Sequence, residues 1–159
     1  MRALLPVGCS LLVWALSACS LQMNVPAGFL RLTGREHGDL RAVTADDARI
    51  WVRDFAVDDD ATVEFWAASF ADELKARGYQ LEEKGEIQDG DGRRGRAFAG
   101  TTTVGGEACR YFAAVFLLPR GFLGDLFSSD HGRIAEFAAA EPLFAQHLDA
   151  VKAAVATLR

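Results

Sequence analysis

The chain has 159 residues, half of them hydrophobic and a quarter charged, with a formal net charge of -5 at pH 7. That length predicts one domain once any targeting segment is removed. The acidic balance argues against nucleic acid as a partner.

In chain order the first element is a secretion signal. Arg2, the apolar run from Ala3 to Leu16 and the tetrapeptide Leu16-Ser17-Ala18-Cys19 supply a positive start, a core of signal-peptide length and small residues before a cut. The run is too short, and too soon followed by polar sequence, to be a settled membrane span. Leu16-Ser17-Ala18-Cys19 resembles the lipobox of bacterial lipoproteins. The resemblance implies cleavage between Ala18 and Cys19, a diacylglycerol on the Cys19 sulfur and a further acyl chain, commonly palmitate, on its freed amino group. A plain signal cut near Ala18, with Cys19 an incidental thiol, is the alternative. Each buried methylene contributes about 0.8 kcal/mol, so two or three chains hold far more firmly than one. In Gram-negative lipoproteins an aspartate after the lipid-bearing cysteine commonly retains the protein in the inner membrane. Ser20 stands there instead, which implies the periplasmic face of the outer membrane.

Loss of residues 1-18 removes Arg2 and no acid, moving the formal charge from -5 to -6. Cys9 leaves with the signal and Cys19 carries lipid, so Cys109 alone remains and no internal disulfide is expected. Cys109 falls in an apolar strand pattern and reads as a small buried hydrophobe rather than a reactive thiol.

Residues 19-27 read as a lipidated tether and residues 28-159 as a single domain. Gly28 to Thr33 predicts a first strand, and Asp39 to Thr44 and Arg49 to Phe55 predict two more, joined by turn residues around Asp46-Asp47. Val63, Trp66, Ala67, Phe70 and Leu74 recur at helical spacing, with Asp58 to Asp60 before the positive end of the macrodipole and Lys75 and Arg77 in the last turn before Gly78. Strands follow over Tyr79 to Gln88 and Arg93 to Val104, around the turn Asp89-Gly90-Asp91-Gly92. Gly105-Gly106 then closes a two-residue hairpin. The returning strand, Glu107 to Leu118, is apolar on both faces and therefore expected to be central. Arg120 to Gly132 reads as an apolar loop containing Phe122, Leu123, Leu126 and Phe127. Arg133 to Ala138 fits either a short strand or the start of a helix. Pro142 to Leu158 predicts a final helix with Phe144, Leu148, Val151, Val155 and Leu158 on one stripe. Two helices and six or seven strands, mostly in hairpins, give an α+β layered domain.

This order, with Arg49-Ile50-Trp51-Val52-Arg53 and the helix phrase from Glu64 to Tyr79, resembles a group of uncharacterised proteobacterial lipoproteins whose fold is PsbP-like. The resemblance implies an antiparallel sheet between helices and a mode of action by binding other proteins. It carries no catalytic signature and no functional residue.

Elements of chemistry are sparse. His37, His131 and His147 are far apart and have no cysteine or carboxylate at ligand spacing, so no metal is expected. Asp89-Gly90-Asp91-Gly92 is similar to a calcium loop, but Gly100 stands where the bidentate glutamate belongs. Asp58-Asp59-Asp60 is explained by helix capping. Ser128-Ser129-Asp130-His131 lacks a nucleophile elbow. Arg93, Arg94, Arg96 and Arg110 suggest either a basic stripe or a solvated surface balanced by Glu82, Glu83 and Glu86. Phe122, Leu123, Leu126 and Phe127 are the contact candidates, if the loop is exposed rather than covering the core. The resulting expectation is a lipid-anchored envelope protein without catalysis or cofactor, an adaptor or accessory subunit that binds another envelope protein. The alternative is a periplasmic small-ligand carrier with an apolar pocket near Phe122 to Phe127.

Overall fold

A computed structural model of the chain describes residues 21-32, 39-57, 62-118 and 131-159. The elements are β1 (Leu30–Leu32), β2 (Leu40–Val43), β3 (Arg49–Ala56), α1 (Val63–Ala76), β4 (Gln80–Gln88), β5 (Arg94–Val104), β6 (Glu107–Leu118), β7 (His131–Ala140) and α2 (Glu141–Val155). The strands form one sheet in the order β1-β2-β3-β7-β6-β5-β4, antiparallel throughout. The α+β layering therefore matches the expectation from sequence. No helix among the described residues is long and apolar enough to cross a membrane.

Strand alternation sorts the core into two layers. One face carries Ile50, Val52, Ala97, Phe112, Ala114, Phe116, Ala135 and Phe137 against Phe144, Val151, Ala154 and Val155 of α2. The other carries Phe98, Tyr111, Ala113, Val115 and Ile134 against Ala67, Phe70, Ala71 and Leu74 of α1. Thr62 caps α1, its hydroxyl accepting from the Phe65 amide at 3.2 Å, and Gly78 turns out of the helix at φ +92. Gly105 and Gly106, at φ +61 and +88, make the tight β5-β6 hairpin that their pairing predicts.

The region around Arg133 resolves as β7, which runs between β3 and β6 in the middle of the sheet. Gly132 is required there, because a Cβ would fall 2.0 Å from the ring of Phe55 on the adjacent strand. Cys109 is half-buried on β6, more open than its apolar context suggests.

The tether expected over residues 19-27 is not free where it is described, from Leu21 onward. Leu21 and Met23 are buried in the α2-side core. The backbones of Gln22 and Arg159 exchange hydrogen bonds of 3.0 and 2.9 Å. Burial of two large apolar side chains outweighs the polar Gln22 between them and Asn24 after them. Met23→Ala should therefore lower stability by about 2 kcal/mol or more, as typical of a buried methionine, in urea unfolding of the protein. Unchanged stability would show that this segment contributes nothing to the core.

Candidate binding site

Helix α1 packs on β4, β5 and β6 and reaches β3 only at Phe55, whose ring meets Trp66 at 5.4 Å, so that among the described residues the same face of β2 and of β3 from Arg49 to Arg53 lies beside the helix rather than under it. The alternation that buries Ile50 and Val52 on one side sends Arg49, Trp51 and Arg53 to this uncovered side. Cross-strand register lines up Arg41, Trp51 and Glu136 in one row, with Arg49 opposite Ala138. Leu74, Arg77 and Tyr79 at the end of α1 form the far wall. Together these residues enclose an open groove of about 670 Å³.

Trp51 is 37% exposed, yet it is held firmly. Its indole nitrogen donates to Asp39 Oδ2 at 3.0 Å, and the same oxygen accepts from Arg41 Nη2 at 3.2 Å. The guanidinium carbons of Arg41 and Arg53 lie 4.9 and 4.8 Å from the indole centroid, within cation-π range. Glu136 closes the floor, its two carboxylate oxygens accepting from Arg53 Nε at 3.2 Å and from the Tyr111 hydroxyl at 2.5 Å. Arg49 donates twice to Asp47, at 2.7 and 2.8 Å, and Arg77 pairs with Glu73. The Arg49 hydrogen bond holds the Asp47 carboxyl below its ordinary range. Burial drives the Tyr111 phenol far above its ordinary value, and the Glu136 charge and hydrogen bond add to that.

The remaining candidates from sequence disperse. Ala18, Cys19, His37, Asp58 to Asp60, Phe122, Leu123, Leu126, Phe127 and Ser128 to Asp130 lie outside the described residues. His131 is exposed at the end of β7, and His147 stands edge-on to Phe29 at 5.1 Å. Among the described residues no group of three His, Cys, Asp or Glu side chains could hold a metal ion. The Asp89 carboxylate is occupied by the Arg93 amide at 2.9 Å and by Arg93 Nε at 2.6 Å, which makes Asp89-Gly92 a structural turn. The basic stripe does not form. Arg96 lies on the α1 side beside Phe98 and pairs with Glu83, and Arg94 reaches Glu86 at 3.5 Å. Arg110 lies on the α2 side, 3.4 Å from Glu141. Sequence reasoning missed the groove. Its signal in the sequence is the basic-aromatic alternation Arg49-Trp51-Arg53, which marks a strand and the family resemblance but does not by itself announce an exposed face.

No protein-family model matches the chain, and no curated protein matches it. Solved structures do match. LpqN of Mycobacterium tuberculosis, described as involved in cell envelope biogenesis, superposes with a TM-score of 0.66 at 14% identity over 87% of this chain and 83% of its own. PA94 of Pseudomonas aeruginosa, of unknown function, gives 0.56 at 13% identity over 92% and 86%. Cyanobacterial PsbP (CyanoP) from Synechocystis gives 0.55 at 14% identity over 96% of each chain. At these identities the likeness defines the fold, which is PsbP-like.

Tyr111 yields a pH test. Its folded-state pKa is raised, so the stability it contributes is complete below the ionisation of an unfolded tyrosine, near pH 10, and is lost as pH rises above that. Unfolding free energy should fall more steeply above about pH 10 in the wild type than in Tyr111→Phe, by up to about 1.4 kcal/mol per pH unit. Parallel profiles in urea titrations at several pH values would show that this hydroxyl does not remain protonated.

Proposed function

We propose that this protein is a lipid-anchored accessory protein of the cell envelope, held through Cys19 on the periplasmic face of the outer membrane, that acts by binding another envelope protein. The PsbP-like fold supports this reading, as does the envelope role described for LpqN. The observation that carries it is Trp51, a large ring exposed on an uncovered sheet face and fixed by Asp39 and two arginines. Tryptophan and arginine dominate the energetic centres of protein interfaces. A side chain already held in one conformation loses little further freedom on binding. The partner surface that fits is a segment with a flat or apolar side chain to cover the indole and carboxylates to meet the guanidinium edges of Arg41 and Arg53. The groove is open and lined by four arginines, which suits a protein segment better than a carried apolar ligand.

Two experiments test the two halves. Cys19→Ala should leave the precursor uncleaved or release the protein from membranes, and wild-type fractionation would remove the lipid from the argument. A photo-reactive benzoylphenylalanine replacing Trp51 in the native host should cross-link to one envelope protein, with the adduct suppressed by Arg53→Glu. Adducts no more abundant than those from the same probe at Val104, on the exposed β5-β6 hairpin, would refute the groove as the contact.

A further inference from the structure

Residues 21-24 lie at one end of the sheet and are locked there. Beyond the Gln22-Arg159 backbone pair, the Asn24 amide donates to Thr157 Oγ1 at 3.0 Å, and Phe29 reaches His147 halfway along α2. Residues 21-29 therefore run beside α2 in the opposite sense, starting from its C-terminal end. The β4-β5 turn belongs to the same end, since the Gly90 amide donates to the Leu158 carbonyl at 2.9 Å and Arg159 lies 3.8 Å from Asp91. At the other end of β5 stand the Gly105-Gly106 hairpin and the C-terminus of α1, where Gln80 pairs with Thr101. The groove crosses the middle of the sheet: the row of Trp51, Glu136 and Ala113 continues to Phe98, four residue steps from the Arg94 end of β5, and Arg49 and Tyr111, both paired with Ala138, lie two steps further from that end. The ten residue steps of β5 separate the two ends by about 33 Å.

Cys19 is two peptide steps from Leu21, at most about 7 Å of extended chain. Leu21 and Met23 are packed in the core, so no slack can be drawn from the domain without exposing them. We propose that the pole formed by Gln22, Gly90, Asp91, Thr157 and Arg159 rests directly on the lipid headgroup layer, so that the anchor fixes orientation as well as location, with the Gly105-Gly106 hairpin farthest from the membrane and the Trp51 groove at mid-height. This rests on the lipid anchor proposed above. The pole is polar, with exposed Gln22, Asp91 and Arg159, which suits contact with hydrated headgroups rather than insertion among acyl chains. The domain is thus mounted on the bilayer without a stalk.

The test uses the full lipoprotein, purified from membranes and reconstituted into phosphatidylethanolamine-phosphatidylglycerol vesicles, in a Cys109→Ser background. A fluorophore on Arg159→Cys should be quenched several-fold more strongly by headgroup-nitroxide lipid than one on Val104→Cys. Insertion of eight Gly/Ser residues between Ser20 and Leu21 should bring the two to the same level. Intact mass separates the two ways of failing. Acyl chains present with equal quenching at both positions would overturn the fixed orientation alone, and a mass without acyl chains would overturn the anchor and the orientation together.

Discussion

The pairing of β6 with β7 is the contact on which the rest of the molecule depends. Tyr111 through Phe116 are all buried, and Arg133 through Ala135 and Phe137 beside them, so both faces of this ladder need cover. Size is divided between the faces in a way that decides how each helix sits. Phe112, Phe116 and Phe137 fill the α2 side, where Phe137 and Phe144 stack at 5.1 Å with 15° between their planes. On the α1 side Ala113, Val115 and Ile134 are smaller, Tyr111 is the one large ring of the ladder, and Phe70 and Leu74 of α1 pack against them.

Glu136 marks where that second core layer stops. It follows Ile134 on the same face of β7, and its register partners are Ala113 and Trp51. A carboxylate this far inside is tolerated because Tyr111 and Arg53 satisfy it, and removal of either partner would leave a buried charge short of hydrogen bonds. One network thus ends the core and stiffens the floor of the groove. Trp51 stands on the groove side of that boundary, so its exposure follows from the position of α1 over β4 to β6 rather than from loose packing.

Much of this architecture was legible in local pattern. The stripe from Val63 to Leu74, the Gly105-Gly106 hairpin and the two-faced apolar run of β6 each follow from periodicity or turn chemistry, which are properties of a few neighbouring residues. The placement of β7 was not legible, because its partner β3 lies about eighty residues away in sequence, as in the Arg53 pair with Glu136, and Arg133 and Glu136 interrupt its apolar run. Arg133 is buried only because Asp54 meets it with bonds of 2.6 and 2.9 Å, a match that no local window contains. Trp51 misleads for a related reason. A tryptophan in a strand is usually counted toward the core, and only the lateral extent of the opposing helix shows that it is not.

The N-terminal segment joins stability to the proposed attachment. Leu21 and Met23 alternate with Gln22 and Asn24 over too few residues to announce a strand, and Pro26 follows at once. Their burial becomes intelligible from the far terminus, where Arg159 and Thr157 offer backbone and hydroxyl partners at the end of α2. Residues next to an anchor usually form a free linker, because ordering them costs about 1-2 kcal/mol per residue in backbone entropy alone. Two buried side chains at roughly 1.5-3 kcal/mol each, with the paired backbone of Gln22, offset that cost over a segment this short. The residues that complete the α2-side core are therefore the ones nearest Cys19. With the lipid proposed for Cys19, a pull on it would act on the core directly, and the domain would turn with that attachment as one body.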